Sequence, residues 1–278
     1  MVKNPNSLVY PYFRTITPNF DPRSQTSNSD FAKRADIVLL HGFTQNSDTV
    51  EGFALLLAEL TTRTVHVLDL PGHGKSSMIK LSLSECATTI HSMFNNSIYV
   101  GYSLGGRIAM HLAQLAPESV TALVIIAAHP GPSTSLERQA RLNTDLKLSR
   151  RLEQITTDDQ LTEFLQTWIK QDVFQNLNQD EANLRARLQN DPGGLAWASQ
   201  YLSLATQADL QSVLSSSLIP LLYIYGSDDL KYAEVGDRMV KLNAKFSKVA
   251  IPNSGHYVLG QKPYVAASII EKYIEHIN

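Results

Sequence analysis

The chain has 278 residues, of which 43% are hydrophobic and 18% are charged, and its formal net charge is −2. This length and composition fit a folded protein with a sizeable core, and they exclude collagen-like, disordered and disulfide-rich classes, since there is one cysteine. The balanced charge predicts no nucleic-acid partner. The longest apolar run, residues 122–128, is too short to insert into a membrane. We therefore expect a cytoplasmic protein.

Short apolar runs separated by longer amphipathic stretches form the main pattern of the chain. An antiparallel edge strand is predicted within residues 8–16, LVYPYFRTI. Six further runs are rich in β-branched residues and nearly continuously apolar, which predicts strands covered on both faces. They occupy residues 36–42, 64–70, 97–103, 122–128, 220–226 and 248–252. Strands that alternate with helices indicate an α/β fold with a mostly parallel central sheet flanked by helices.

Helical spacing is found in the segments 48–60, 83–94 and 104–115. Asp48 with Glu51, and Ser82 with Glu85, have the spacing of a capping box. We therefore expect these residues to mark the starts of the first two helices. Pro117 follows the third segment and is expected to end it.

The alternation of strands and helices breaks between residues 129 and 216. This segment is polar, has helical periodicity and contains both tryptophans, Trp168 and Trp197. Its length of about 90 residues is too great for an ordinary loop, so we expect a helical cap over one end of the sheet. The predicted division is a core of residues 1–128 and 217–278 with a cap insertion of residues 129–216.

One short motif stands where a predicted strand meets a predicted helix. Residues 101–105 read Gly-Tyr-Ser-Leu-Gly, which matches G-x-S-x-G with Ser103 at its centre. In this setting a strand enters a tight turn and a helix leaves it, so the serine hydroxyl is held exposed. Glycines on either side relieve the crowding in such a turn. We therefore predict that Ser103 is the reactive residue of a nucleophile elbow.

A serine hydroxyl becomes reactive when an imidazole takes its proton and a carboxylate orients that imidazole. After a nucleophile elbow the chain order is serine, acid and histidine, with both partners following later strands. Asp228 and Asp229 follow the fifth of the six predicted strands, and His256 follows the sixth. We predict a catalytic triad of Ser103, an aspartate and His256, and spacing alone leaves both aspartates open.

Negative charge that develops on a substrate needs hydrogen-bond donors arranged before the reaction. The Leu104 amide, which directly follows Ser103 at the start of a helix, is one predicted donor of this oxyanion hole. The second is expected in the loop after the strand at residues 36–42, where Phe43 is the candidate. His41 is expected to hold that loop in place.

The chain lacks the spacing that is typical of nucleotide and metal sites. DLPGHGKS, residues 69–76, ends like a phosphate-binding loop, but such a loop requires glycine five positions before Gly74, where the chain has Asp69. The eight histidines include no H-E-x-x-H pair, so no metal site is expected. Cys86, the single cysteine, is expected to be a small buried apolar residue.

Longer segments of the chain resemble known families. LLHGFTQN, DLPGHGKSS and GYSLGGR together resemble the α/β-hydrolase fold family. A narrower resemblance, to the 2-succinyl-6-hydroxy-2,4-cyclohexadiene-1-carboxylate (SHCHC) synthases of menaquinone and phylloquinone biosynthesis, adds HPGPSTSLERQARLNTD, WIKQDVF, LRARLQNDPGGLA, YGSDDLKY and IPNSGHYV. It runs from about residue 36 to residue 263 and implies Asp229 as the acid of the triad.

This resemblance also implies a reaction and a set of binding residues. In these synthases a proton is removed beside a succinyl carbonyl and pyruvate leaves, with no cofactor. The substrate carries several carboxylates, for which guanidinium groups are well suited. The implied substrate-binding residues are Arg107, Arg141, Arg187, Tyr102 and Trp168. Arg138 and Arg185 are close in sequence to Arg141 and Arg187, and spacing alone does not exclude them as substrate-binding residues.

Two other functions stay open on the sequence. A carboxylesterase or a carbon–carbon bond hydrolase acting on an anionic substrate would use the same triad, with Ser103 or an activated water attacking a carbonyl. A non-catalytic ligand receptor on this fold is a further alternative, which the complete set of serine, aspartate and histidine disfavours. Oligomeric state, and the choice between menaquinone and phylloquinone, are left open.

Overall fold

The central feature of the fold is a seven-stranded sheet. The computed structural model describes residues 9–18, 34–171 and 181–277. In chain order the strands are β1 Phe13–Ile16, β2 Ile37–Leu40, β3 Val65–Leu68, β4 Ser97–Tyr102, β5 Val120–Ile126, β6 Leu221–Gly226 and β7 Phe246–Ile251. Their order across the sheet is β1-β3-β2-β4-β5-β6-β7, with β1 antiparallel to β3 and the other neighbours parallel. The predicted fold class is confirmed.

Helices connect these strands and cover the sheet. They are α1 Glu51–Thr61, α2 Leu83–Met93, α3 Leu104–Leu115, α4 Ser135–Glu153, α5 Asp158–Ile169, α6 Glu181–Arg187, α7 Pro192–Tyr201, α8 Gln211–Ser215, α9 Leu230–Leu242, α10 Val258–Gln261 and α11 Pro263–His276. Within the described ranges, none of the helices combines the length and apolar character that a bilayer crossing requires.

Each face of the sheet buries its own hydrophobic core, because successive side chains of a strand point to opposite faces. In β2, Val38 and Leu40 belong to the core shared with α2 and α3, whereas Ile37 and Leu39 belong to the core shared with α1 and α11. Cys86 is buried in the first of these cores, as expected. Coverage of both faces explains why the strands are nearly continuous apolar runs in the sequence.

Helices α1 and α2 begin in different ways. The capping box predicted for α2 is present, since the Ser82 hydroxyl accepts from the Glu85 amide and the Glu85 carboxylate accepts from the Ser82 amide. The one predicted at Asp48 is wrong, because α1 begins later and Val50 occupies its N-cap without a side-chain hydrogen bond. Asp48 pairs with Arg14 of β1 instead, so a tertiary ion pair replaces the local cap.

The chain between β5 and β6 carries α4 to α8 and, in its described residues, no strand. These helices have a small core of their own, which includes Leu152, Phe164 and Leu195. They also contact the loop after β2, where the Trp168 and Phe43 rings lie with centroids 5.3 Å apart. The helices therefore lie over the carboxyl edge of the sheet, where α/β proteins bind ligands. The limits of a cap domain stay a prediction.

Candidate active site

Ser103 lies at the sharp turn between β4 and α3. Its backbone has φ 50° and ψ −105°, a conformation that residues other than glycine rarely adopt. Neighbouring backbone holds the turn: the Ser103 amide donates to the Ile126 carbonyl at 2.9 Å, and the Gly105 amide donates to the His41 carbonyl at 3.0 Å. The structure thus has the strand, tight turn and helix that the motif predicts.

Gly105 is required because α3 begins in contact with β2. A Cβ atom at Gly105 would lie 2.1 Å from the Leu40 carbonyl oxygen, far inside van der Waals contact. At Gly101 an added Cβ would lie 2.6 Å from the Gly105 carbonyl carbon. The two outer glycines of the motif therefore let the strand and helix backbones approach closely enough to form the turn at Ser103.

We expect Gly105→Ala to destabilise the fold by about 3 kcal/mol or more, since the added methyl group overlaps strand backbone rather than a flexible side chain. Gly52→Ala is the matched control. Gly52 is an exposed residue of α1 with nothing within 4 Å of an added Cβ, so this change should stabilise the protein by up to about 1 kcal/mol. Urea denaturation measures both, and equal unfolding free energies would contradict the role given to Gly105.

Three side chains from distant parts of the chain meet beside this turn. His256 Nε2 lies 3.3 Å from Ser103 Oγ, and His256 Nδ1 donates to Asp229 Oδ2 at 2.8 Å. His256 is 5% exposed, so little water competes for these contacts. Two aromatic rings pack against the imidazole, Tyr232 at 4.6 Å and Tyr102 at 5.4 Å between ring centroids. The arrangement can pass a proton from the serine hydroxyl to the imidazole.

Asp228, the residue before Asp229, makes contacts outside the triad. Asp228 is exposed and accepts from the Ser227 hydroxyl at 2.9 Å. Asp229, by contrast, is the N-cap of α9 and accepts from the Tyr232 amide, which fixes the orientation of its carboxylate toward His256. Of the two acids that spacing left open, the geometry favours Asp229.

Phe43 and Leu104, the predicted backbone donors, both line the cavity that contains Ser103. Leu104 is the first residue of α3, so its N–H has no acceptor within the helix. For the Phe43 amide, no acceptor is found in the parts of the chain that the structure describes. Both donors are therefore available to an anionic oxygen.

His41 holds the loop that carries Phe43. Its Nδ1 donates to the Gly42 carbonyl at 2.8 Å, and its Nε2 accepts from the Leu70 amide at 3.0 Å. Burial is the main reason that the pKa of His41 falls to about 4. The imidazole is therefore neutral near pH 7 and links two loops, which agrees with the structural role expected for it.

The buried histidines predict a loss of stability in acid. His73 packs on His41 with ring centroids 5.2 Å apart, and burial lowers the pKa of His73 to about 3. The unfolded chain takes up these protons below pH 6.5 and the folded protein does not, so the free energy of unfolding should fall as the pH drops from 6.5 to about 4. Each histidine contributes a slope of about 1.4 kcal/mol per pH unit. Urea unfolding across this range should show a reduced slope for His73→Gln and an unchanged one for His276→Gln, a change at an exposed residue; equal slopes would refute the prediction.

A cavity of about 200 Å³ lies beside Ser103, beneath the helices between β5 and β6. The predicted residues that line it are Phe43, Tyr102, Ser103, Leu104, Arg107, Arg141, Trp168, Arg187 and His256. Asp229 is not among the lining residues, but it is hydrogen-bonded to His256, which is. In the described ranges there is no group of three or more histidine, cysteine or acidic residues that could hold a metal ion.

Two buried guanidinium groups give the cavity a positive charge. Arg107 Nη2 donates to the Leu202 carbonyl at 2.8 Å, whereas Arg107 Nη1 is buried and has no acceptor among the described residues. Burial, and secondarily the charge of Arg141, lower the pKa of Arg107 to about 10. Arg187 is 3% exposed, donates to Thr44 Oγ1 at 2.5 Å, and has its pKa lowered by burial. Cations buried without a carboxylate partner are costly, and an anionic ligand would offset that cost.

The third predicted arginine is partly exposed and held by an acid. Arg141 Nε donates to Asp145 Oδ2 at 2.7 Å, and the same oxygen accepts from the Ser203 hydroxyl. The two alternatives lie outside the cavity lining. Arg138 donates to the carbonyls of Ala205 and Gln207, and Arg185 is exposed. The structure therefore brings together Arg107, Arg141 and Arg187 and leaves the two alternatives out.

Some cavity residues were not predicted from the sequence, namely Gln45, Asp145, His129, Lys231 and Tyr232. Lys231 follows Asp229 in the first turn of α9, and burial lowers its pKa. The sequence could have indicated Lys231, because residues just after a strand lie at the same carboxyl edge of the sheet as the triad acid. Gln45 lies in the loop after β2 and carries the same sequence signal, whereas Asp145 carries none, since only tertiary packing brings it to the cavity.

Comparison with known proteins agrees with this fold. Residues 37–263 match the family described as alpha/beta hydrolase fold, and the chain belongs to that family. The SHCHC synthase of Enterobacter sp. (strain 638) is 30% identical over 246 residues, which is 86% of this chain and 91% of that protein. The SHCHC synthase of Citrobacter koseri is 31% identical over 235 residues, which is 82% of this chain and 88% of that protein.

Within the α/β hydrolases, the chain therefore belongs to the SHCHC synthase family. A solved structure, that of MenH from S. aureus, superimposes with a TM-score of 0.81 at 21% identity and covers 95% of this chain and 98% of that one. At this identity the likeness shows the shared fold.

Proposed function

We propose that the protein eliminates pyruvate from 2-succinyl-5-enolpyruvyl-6-hydroxy-3-cyclohexene-1-carboxylate and so forms SHCHC, a step in menaquinone or phylloquinone biosynthesis. Family membership supports the reaction. The observation that carries the proposal is the cavity, which Arg107, Arg141 and Arg187 line together with a serine that lies 3.3 Å from an imidazole. Three cations suit a substrate with three carboxylates, and they are unsuited to a neutral ester.

In the proposed mechanism Ser103 is the base. His256 Nε2 takes the hydroxyl proton while Asp229 holds the imidazole in the required tautomer, and the serine oxygen removes the proton beside the succinyl carbonyl. The enolate oxygen that results rests on the amides of Phe43 and Leu104. Charge then shifts through the ring, the bond between carbon and the enolpyruvyl oxygen breaks, and the leaving pyruvate enolate takes up the proton from His256. No acyl-enzyme forms, and no cofactor is required.

The test supplies the purified protein with the tricarboxylate substrate and, separately, with a neutral aryl ester. Pyruvate release, coupled to lactate dehydrogenase and followed as loss of NADH, should accompany loss of the substrate. Hydrolysis of the ester should stay near background. Rapid ester hydrolysis without pyruvate release would instead indicate a serine hydrolase and overturn the proposal.

We further propose that the ligand is a small polycarboxylate and that the protein acts in the cytoplasm without a nucleic-acid partner. The positive cavity supports the first point, and the formal net charge of −2 supports the absence of nucleic-acid binding. Subcellular fractionation of the host tests the location.

A further inference from the structure

The loop that carries Phe43 contains a buried polar side chain that the proposed mechanism does not use. Gln45 is 1% exposed and lines the same cavity as Ser103. Its Oε1 accepts from the Gly42 amide at 2.8 Å. A backbone N–H can be paired only with the oxygen end of a carboxamide, so this bond decides which end is oxygen and which is nitrogen.

The side-chain nitrogen of Gln45 has N–H donors for which the described residues provide no acceptor. Across residues 9–18, 34–171 and 181–277, no hydrogen-bond acceptor is found for Nε2, and that atom is buried. A carboxamide nitrogen carries two N–H donors, and burying them without an acceptor is unfavourable. Buried side-chain donors in folded proteins nearly always have a partner, so this exception points to an acceptor that a ligand supplies.

The carboxamide is held in place by tight packing as well as by its hydrogen bond. A Cβ atom added to Gly42 would lie 3.1 Å from Gln45 Oε1 and 2.7 Å from the Tyr102 ring. Gly42 is therefore close to both Gln45 and Tyr102, and its amide anchors the oxygen end of the carboxamide. Donors that are oriented before a ligand arrives bind it without a further cost of ordering.

The charges around Gln45 favour an anionic acceptor. Arg187 donates to Thr44 Oγ1, the residue directly before Gln45, so its guanidinium is anchored to the same loop. Arg187 and Gln45 both line the cavity and are both almost completely buried. A carboxylate oxygen has enough lone pairs to accept from a guanidinium and a carboxamide together.

We propose that Gln45 is a further substrate-binding residue whose Nε2 donates a hydrogen bond to a carboxylate oxygen of the substrate, in a subsite shared with Arg187. This inference rests on the proposed function for the identity of the substrate. It adds a neutral, fixed donor to the arginines, and it selects a ligand that presents an acceptor at this point.

The test uses two substitutions of similar shape. Gln45→Glu keeps an oxygen for the Gly42 amide but replaces the donors with a second acceptor, whereas Gln45→Met removes both functions. The probe is the keto acid 4-oxo-4-phenylbutanoate, with its Kd measured by calorimetry. We expect both variants to raise that Kd about tenfold or more, as loss of a hydrogen bond to a charged group does. Gln166→Glu, which adds the same charge at an exposed position of α5, should leave it unchanged.

The outcomes separate this inference from the proposed function. A residue that only holds Gly42 would tolerate Gln45→Glu, so binding of the probe by that variant as tightly as by the wild type overturns the inference. Thermal melts of all three variants show that each is folded. If the wild type fails to release pyruvate while Gln45→Glu and the uncharged Gln45→Met both weaken probe binding, the proposed function is lost and the binding role of Gln45 stands.

Discussion

Replacing Ser103 with alanine is expected to lower kcat by about 10³-fold or more, because the variant lacks the oxygen that takes the substrate proton. Substrate affinity should change little, since Ser103 is uncharged and the three arginines of the cavity remain. Pyruvate release measures the first effect. Calorimetry with intact substrate, which the variant consumes only slowly, measures the second.

The control for this experiment is Ser92→Ala. Ser92 is exposed on α2, where its hydroxyl donates to the Thr89 carbonyl, so its loss should leave kcat and the Kd unchanged. Near-normal turnover by Ser103→Ala would show that another group removes the proton. Trapping of a covalent adduct on Ser103 of the wild type during turnover would also contradict the mechanism, since the proposed base is never acylated.

Arg107→Met is expected to lower kcat/KM by about 30- to 1,000-fold, since a buried charged partner of a carboxylate contributes roughly 2 to 4 kcal/mol to binding. The same change is expected to raise the melting temperature of the unliganded protein. Arg107 Nη1 is buried without an acceptor among the described residues, and burial lowers its pKa to about 10, so the folded protein bears a desolvation cost that methionine removes. Steady-state kinetics and calorimetric melting measure the two effects.

Arg138→Met provides the contrast. The Arg138 guanidinium donates to the backbone carbonyls of Ala205 and Gln207 and lies outside the cavity lining, so its loss should lower the melting temperature and leave kcat/KM close to the wild-type value. The two arginines are therefore expected to show opposite pairs of effects. A lower melting temperature for Arg107→Met together with unchanged kcat/KM would mean that Arg107 serves the fold and not the substrate.

The sheet and the elbow could be predicted because their patterns are local. Continuous apolar runs reflect coverage of both faces, as in β2. Gly101 and Gly105 reflect backbone that an added Cβ atom would meet at 2.6 and 2.1 Å. Asp229 and His256 were found because each lies a few residues after a strand, and parallel strands end at the same edge.

Features that depend on distant contacts were missed. The expected cap at Asp48 failed because Arg14, on an edge strand far back in the chain, takes that carboxylate. Gln45 follows β2 in the sequence, but the burial of its carboxamide in the cavity depends on packing with parts of the chain that are far away in sequence, such as Arg187. Spacing could not choose between Arg138 and Arg141, because the choice depends on which backbone carbonyls lie nearby in three dimensions.

The order of the parts along the chain has a consequence for protein synthesis. Ser103 and His256 are separated by 153 positions, and the helices between β5 and β6 intervene. A ribosome therefore delivers the serine hydroxyl long before it delivers the imidazole. A product that stops between these two residues would carry the serine without its proton acceptor, so each copy should remain inactive until His256 has been translated.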